Sequence, residues 1–158
     1  MRPHTIFNTF AFVKTATTVS ILLSVLLAFA ALDAQAQCRK FAKKACGDVL
    51  TGYTPDGTME GEQLFEGEWR TYNRMFYSGV DYRVAVCVDE KVKEGTWFEV
   101  LDSNGKSLHN SKETGEFTWD FNVSSGIALD VVIHMPEKPE DRYFRNMGCV
   151  TLMIGFMP

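Results

Sequence analysis

CRKFAKKAC, residues Cys38 to Cys46, is the stretch that decides how this chain is read. At helical spacing Cys38, Phe41, Ala42, Ala45 and Cys46 share one stripe, while Arg39, Lys40, Lys43 and Lys44 fill the opposite face. Two turns of helix do not stand alone in water, because nucleation costs more than so few hydrogen bonds give back. The segment has to be fastened to something. The other cysteines, Cys87 and Cys149, sit in strongly strand-like runs. A short helix stapled onto a sheet is the expected architecture.

Geometry limits the staples. Four cysteines allow three pairings. Residues eight apart on a helix are separated by about 12 Å, whereas a disulfide needs Cα atoms within roughly 7 Å. Each helix cysteine is therefore expected to bond one strand cysteine: Cys38 with Cys87 and Cys46 with Cys149, or the swapped pair. The rival pattern, Cys38 with Cys46 and Cys87 with Cys149, requires a broken turn.

Residues 1–36 read as a signal peptide. Arg2 and Lys14 precede the apolar run Ile21 to Leu32, and Ala34-Gln35-Ala36 supplies a small-x-small cleavage pattern. Twelve apolar residues make about 18 Å of helix, short of a roughly 30 Å hydrocarbon core. Membrane attachment would come only through an uncleaved leader, and a lipid on Cys38 would need a small residue where Gln37 stands. Cleavage after Ala36 leaves residues 37–158 as a single domain.

Without Arg2, Lys14 and Asp33, 14 basic and 19 acidic side chains remain, a net charge of about −5. That balance argues against nucleic acid as a partner, and the four-charge helix face reads as solvated surface. Four cysteines in an exported chain imply two disulfides and an oxidising compartment. The absence of Cys-x-x-Cys argues against a dithiol redox enzyme or a zinc knuckle. The expected location is the periplasm or the extracellular medium of a Gram-negative bacterium.

The stretch Gly47 to Gly61 is rich in Gly, Asp, Thr and Pro and reads as a loop, with Pro55-Asp56-Gly57 as a turn. Residues Trp69 to Tyr77 alternate ambiguously. Tyr82, Val84, Val86 and Val88 form one apolar row, with Arg83, Ala85 and Cys87 opposite. Phe98/Val100, Phe117/Trp119/Phe121, Ile127/Leu129/Val131/Ile133 and Val150/Leu152/Ile154/Phe156 give further rows. Residues Pro136 to Gly148, PEKPEDRYFRNMG, form a charged surface excursion. About seven short strands without intervening helices predict an antiparallel β-sandwich, mainly β and jelly-roll-like, with one N-terminal helix. If the valine rows face the core, Cys87 and Cys149 lie on the outer face, where the helix would dock.

The order CRKFAKKAC, EGE, MFYSGVDYRVAVC, FEVLDSNGKSL, WDF and GCVTLMIGF resembles uncharacterised exported β-sandwich proteins of Bacteroidetes. A more distant likeness, from about Tyr82 to Phe156, is to the pre-peptidase C-terminal (PPC-like) domains, accessory β-sandwiches of secreted enzymes. These resemblances imply an exported all-β domain, and they bring no established activity with them.

Candidate chemistry is sparse. Glu66 and Glu68 would share a face if extended, at a spacing a glycosidase could use. They flank Gly67 at a strand entrance, where charges ordinarily meet water. Asp102 and Asn104 hint at calcium ligation, but the full alternating ladder of a calcium loop is missing. His109 and His134 fall on different strands, and no nucleophile motif accompanies them. No catalytic residue, metal site or cofactor is assigned. The aromatic side chains are more informative, and Trp69, Trp97 and Trp119 are candidates for an exposed binding surface. The expected function is a non-enzymatic exported binding module for a glycan, peptide or envelope protein. The alternative is a purely structural envelope protein without a small-molecule site.

Overall fold

The computed structural model describes residues 36–157, so the leader, Ala36 apart, lies outside the described residues. A helix, α1 (36–45), is followed by strands β1 (Thr54–Phe65), β2 (Trp69–Phe76) and β3 (Asp81–Val88). A one-turn helix α2 (Glu90–Lys93) leads to β4 (Trp97–Leu101) and β5 (Ser107–Asn110). A second, α3 (Ser111–Thr114), leads to β6 (Thr118–Asn122), β7 (Ile127–His134) and β8 (Met147–Met157). The strands make two four-stranded sheets, ordered β1-β8-β3-β6 and β2-β7-β4-β5. Every pairing is antiparallel. The described residues form a β-sandwich of eight strands.

The sheets meet where the sequence alternates. Val84, Val86, Val150, Leu152 and Ile154 of the first sheet are buried against Phe98, Val100, Leu129, Val131 and Ile133 of the second. The aromatics at and just before β6 do not form a surface: Phe117, Trp119 and Phe121 pack against this core from the edge. Trp119 lies flat on Phe121 at 4.0 Å and stacks against His109 of β5 at 5.7 Å. They close one side of the sandwich.

The other side is closed by polar groups. Tyr72 of β2 donates its hydroxyl to Glu62 of β1 at 2.6 Å, Arg70 pairs with the same carboxylate, and Arg74 pairs with Glu60. Burial, reinforced by the Glu62 bond, pushes the Tyr72 phenol upward and keeps it a neutral donor.

Strand β1 corrects the second half of the loop expected over 47–61: residues 47–53 are turns, and the strand takes in 54–61. Composition suggested turns throughout, yet strand pairing with β8 begins at Thr54. Proline is tolerated at Pro55 because β1 is an edge strand, with only one side paired. The Pro-Asp-Gly turn becomes an irregularity inside the strand: register shifts between Pro55 and Met59, Gly57 adopts φ +93°, and Asp56 Oδ1 accepts from the Thr58 N–H.

Helix α1 docks on the outer face of the first sheet. Ala42 and Leu50 bury against Ala85, Cys87 and Met153, with Phe41 and Cys46 packed beside them, whereas Ala45 of the expected stripe is exposed. The disulfides take the swapped pattern, Cys38 with Cys149 and Cys46 with Cys87. They span 111 and 41 residues of sequence, for which the chain-entropy account gives about 4–5 kcal/mol each before native strain and nesting reduce it. The helix also needs a bare strand beneath it. A Cβ on Gly61 would lie 2.8 Å from Thr151 Oγ1 and 3.1 Å from Cys38 Cβ.

Gly61→Ala is therefore expected to destabilise the oxidised protein by about 1–3 kcal/mol through overpacking. Urea unfolding at equilibrium reads the change. A loss below about 0.5 kcal/mol would show that the helix rides clear of β1.

Candidate binding surface

Two of the three tryptophans singled out in the sequence come together, and the third does not. Trp69 of β2 is directly opposite His134 of β7, which is directly opposite Trp97 of β4. Opposed residues share a sheet face, and the inward neighbours Tyr72, Ile133 and Phe98 fix that face as the outer one. The row Trp69, His134, Trp97 thus crosses the outside of the second sheet. Trp97 stacks on the His134 ring at 3.8 Å and 6°, and Lys112 sits 5.4 Å above the Trp97 ring. Glu99 holds His134 Nε2 at 3.0 Å. Trp69 is 66% exposed. Trp119 belongs to the aromatic edge already described, so the three do not form one platform.

The two histidines have separate surroundings. His109 is partly buried among aromatic rings, and burial draws its pKa below the ordinary value. Asp102 has a local role in place of metal ligation: its Oδ1 accepts the backbone N–H of Asn104 at 2.8 Å and of Lys106 at 2.9 Å, bracing the hairpin turn. No cluster of metal-ligating side chains occurs among the described residues.

The sequence reading missed the most organised feature. Glu66, expected to meet water, is buried. The chain turns at Glu66-Gly67, so Glu66 and Glu68 are not consecutive on one strand face. Glu66 binds the guanidinium of Arg142 through Oε1 and accepts the Asn146 N–H through Oε2 at 2.8 Å. Its main chain joins in: the Glu66 N–H donates to the Asn146 carbonyl at 3.0 Å, and Arg145 Nε donates to the Glu66 carbonyl at 2.7 Å. Pro136 accepts from Gly67, and Met135 donates to Glu68. Inside the loop, Lys138 donates to the carbonyls of Pro139 and Arg142. The excursion between β7 and β8 is therefore clamped at both ends to the β1–β2 turn.

What the clamp displays is apolar. Tyr143 and Phe144 are 89% and 76% exposed and meet edge to face at 4.9 Å. Arg145 lies over the Phe65 ring at 5.5 Å, and Phe65 pairs in register with Met147. Among the described residues, four of the nine exposed large apolar side chains thus gather at this end of the sandwich: Phe65, Tyr143, Phe144 and Met147. The only sequence signal was an adjacent Tyr-Phe pair inside an otherwise charged segment.

Glu66 has the electrostatics of an anchor. Burial alone would raise its pKa, but the Asn146 N–H and the Arg142 guanidinium outweigh burial and hold it below the ordinary carboxylate range. This geometry supplies binding contacts and leaves Glu66 no free oxygen for proton transfer.

No family model matches the chain, and no curated protein matches it. Similar solved structures include the periplasmic lysozyme inhibitor PliG of Aeromonas hydrophila, an inhibitor of g-type lysozyme. It is 9% identical, with a TM-score of 0.49 over 67% of this chain and 89% of that one. The corresponding PliG of Salmonella Typhimurium is 16% identical, with a TM-score of 0.39 over 63% of this chain and 90% of that one. Neither superposes tightly enough to transfer a residue or an activity.

Glu66→Gln is expected to leave the sandwich folded while loosening the loop, read as faster hydrogen exchange at the Asn146 amide. A depressed folded-state pKa contributes stability above the ordinary glutamate pKa, and that contribution is lost as pH falls through the folded value. The stability gap between wild type and variant should accordingly be widest near neutral pH and shrink in acid. A gap independent of pH would show that the carboxylate charge does not hold the loop.

Proposed function

We propose that this chain is an exported, non-enzymatic module that binds a protein partner of the cell envelope through the end bearing Tyr143 and Phe144. The observation that carries the reading is the pairing of an exposed aromatic tip with a rigid mount. An isolated exposed side chain needs no explanation, but clustered aromatics on a braced loop are costly to leave in water. Tyrosine and phenylalanine have few rotatable bonds, so holding them ready lowers the entropy lost on association. A protruding tip fits a concave surface, which favours a folded protein over a flat polymer.

Export is supported by the disulfides, which persist in oxidising compartments such as the periplasm or the extracellular space. The purely structural alternative offers no account of why Glu66, Arg142 and Asn146 should be spent on presenting two aromatic rings.

Affinity capture from envelope fractions, followed by titration of the purified partner, tests this reading. A g-type lysozyme belongs in the panel on the same footing as any other envelope protein. Tyr143→Ala/Phe144→Ala should weaken binding by about 2–4 kcal/mol, on the order of 30- to 1,000-fold. Both side chains are exposed, so unfolding stability should stay within about 0.5 kcal/mol of wild type. A partner held equally well by the double variant would place the interface elsewhere.

A further inference from the structure

We propose that the outer face of the second sheet carries a saccharide-binding site, built on Trp69 and separate from the Tyr143/Phe144 tip. A cleft of about 650 Å³ is lined there by Trp69, Trp97, His134, Lys112, Glu68 and Glu137. That volume is within the range of small-molecule sites, about 300–1,000 Å³.

The two tryptophans of the row are not equivalent. Trp97 is committed: His134 covers its ring at 3.8 Å and the Lys112 ammonium stands 5.4 Å from its centroid. It is a fixed wall. Lys112 is placed by α3, whose N-cap Asn110 accepts the Lys112 N–H at 2.9 Å. Trp69, across His134 in the same row, has no aromatic or cationic partner on its ring among the described residues and is 66% exposed. It is the platform left free.

The surrounding polar groups select the ligand class. A pyranose presents an apolar C–H face bordered by hydroxyl groups that both donate and accept. Here a free indole plane is bordered by the Glu137 carboxylate, which accepts, by Lys112, which donates, and by Glu68, whose carboxylate already accepts the Phe65 N–H at 2.9 Å and pairs with Arg145 at 3.4 Å. His134 is fixed by Glu99 through Nε2 at 3.0 Å, which leaves Nδ1 as the ring nitrogen that Glu99 does not hold. A fatty acyl chain would desolvate Glu137 and Lys112 without offering either a polar partner. An extended peptide would look for main-chain partners; β7, which carries His134, and β4, which carries Trp97, are paired on both sides, and the unpaired edge of β2 lies along the polar seam with β1.

Tetrasaccharides of β-1,4-glucose, α-1,4-glucose, β-1,4-N-acetylglucosamine and mannose, titrated into the purified protein, provide the test. Tryptophan fluorescence and the indole N–H resonances report binding. At least one sugar is expected to bind saturably below about 10 mM. Trp69→Ala should weaken it about tenfold or more, while Tyr143→Ala/Phe144→Ala should leave it unchanged. Trp69 is exposed, so unfolding of the variant serves as a check that the fold is intact. Absence of saturable binding across the panel would overturn the proposal, as would binding that Trp69→Ala leaves intact. Loss of sugar binding in the tip variant would overturn the separation of the two sites. Partner capture by the tip reads out independently, so failure of one reading is distinguishable from failure of the other.

Discussion

Strand β8 is buried on both faces, and the rest of the architecture follows from that. Its Val150, Leu152 and Ile154 face the sandwich interior, while Cys149, Thr151 and Met153 face outward and are also buried. An antiparallel sheet ordinarily leaves one face to water. Here the outer face carries disulfide sulfurs and a methionine, and something apolar must cover it. Helix α1 provides the cover through Ala42 and Phe41, but at ten described residues it is too short to persist on propensity. Disulfides at both ends of the docking stripe convert a marginal contact into a permanent one. Gly61 lets the helix approach, because any side chain there would meet Thr151 and Cys38.

With the outer face of the first sheet occupied, exposed surface is left to the second sheet and to the sandwich ends. The two open sides are closed by different forces. On the β5–β6 side, stacked rings exclude water. On the β1–β2 side, Glu60 and Glu62 face Arg70, Tyr72 and Arg74 across the gap between sheets. Charged pairs this close to solvent add little stability each. Their effect is on register, since a one-residue slip of β2 would turn Arg70 and Tyr72 outward and Trp69 into the core. The polar seam therefore fixes which face of β2 presents its tryptophan.

Much of this was legible in the sequence. The valine, leucine and isoleucine rows named the core strands, and the position of Cys87 and Cys149 opposite those rows located the helix. The choice between the two stapled pairings was not legible, because it depends on the direction in which α1 crosses the sheet. Strand β1 was hidden by composition: glycine, proline and aspartate signal turns in a chain read locally, and only its edge position makes them tolerable in a strand. The tryptophan row was half legible. Alternation named Trp69 and Trp97, but their alignment through His134 depends on β7 lying between β2 and β4, a neighbourhood no local pattern encodes. Trp119 misled because a partly buried aromatic edge and an exposed aromatic platform have the same alternation.

The clamped loop was the least legible element, and the reason is physical. Its anchor, Glu66, is 76 residues from Arg142 and 80 from Asn146 in sequence. A buried carboxylate is also a poor guess for a strand entrance, since burying it without partners is costly. The cost is met because the loop supplies a cation and a backbone N–H together, satisfying both oxygens at once. An apolar anchor would have held the loop by contact alone, without fixing its direction. Two oxygens bonded to two different residues of the loop fix both its position and its angle, and that constraint is what keeps Tyr143 and Phe144 pointed into solvent instead of folded back onto the nearby Phe65 and Met147.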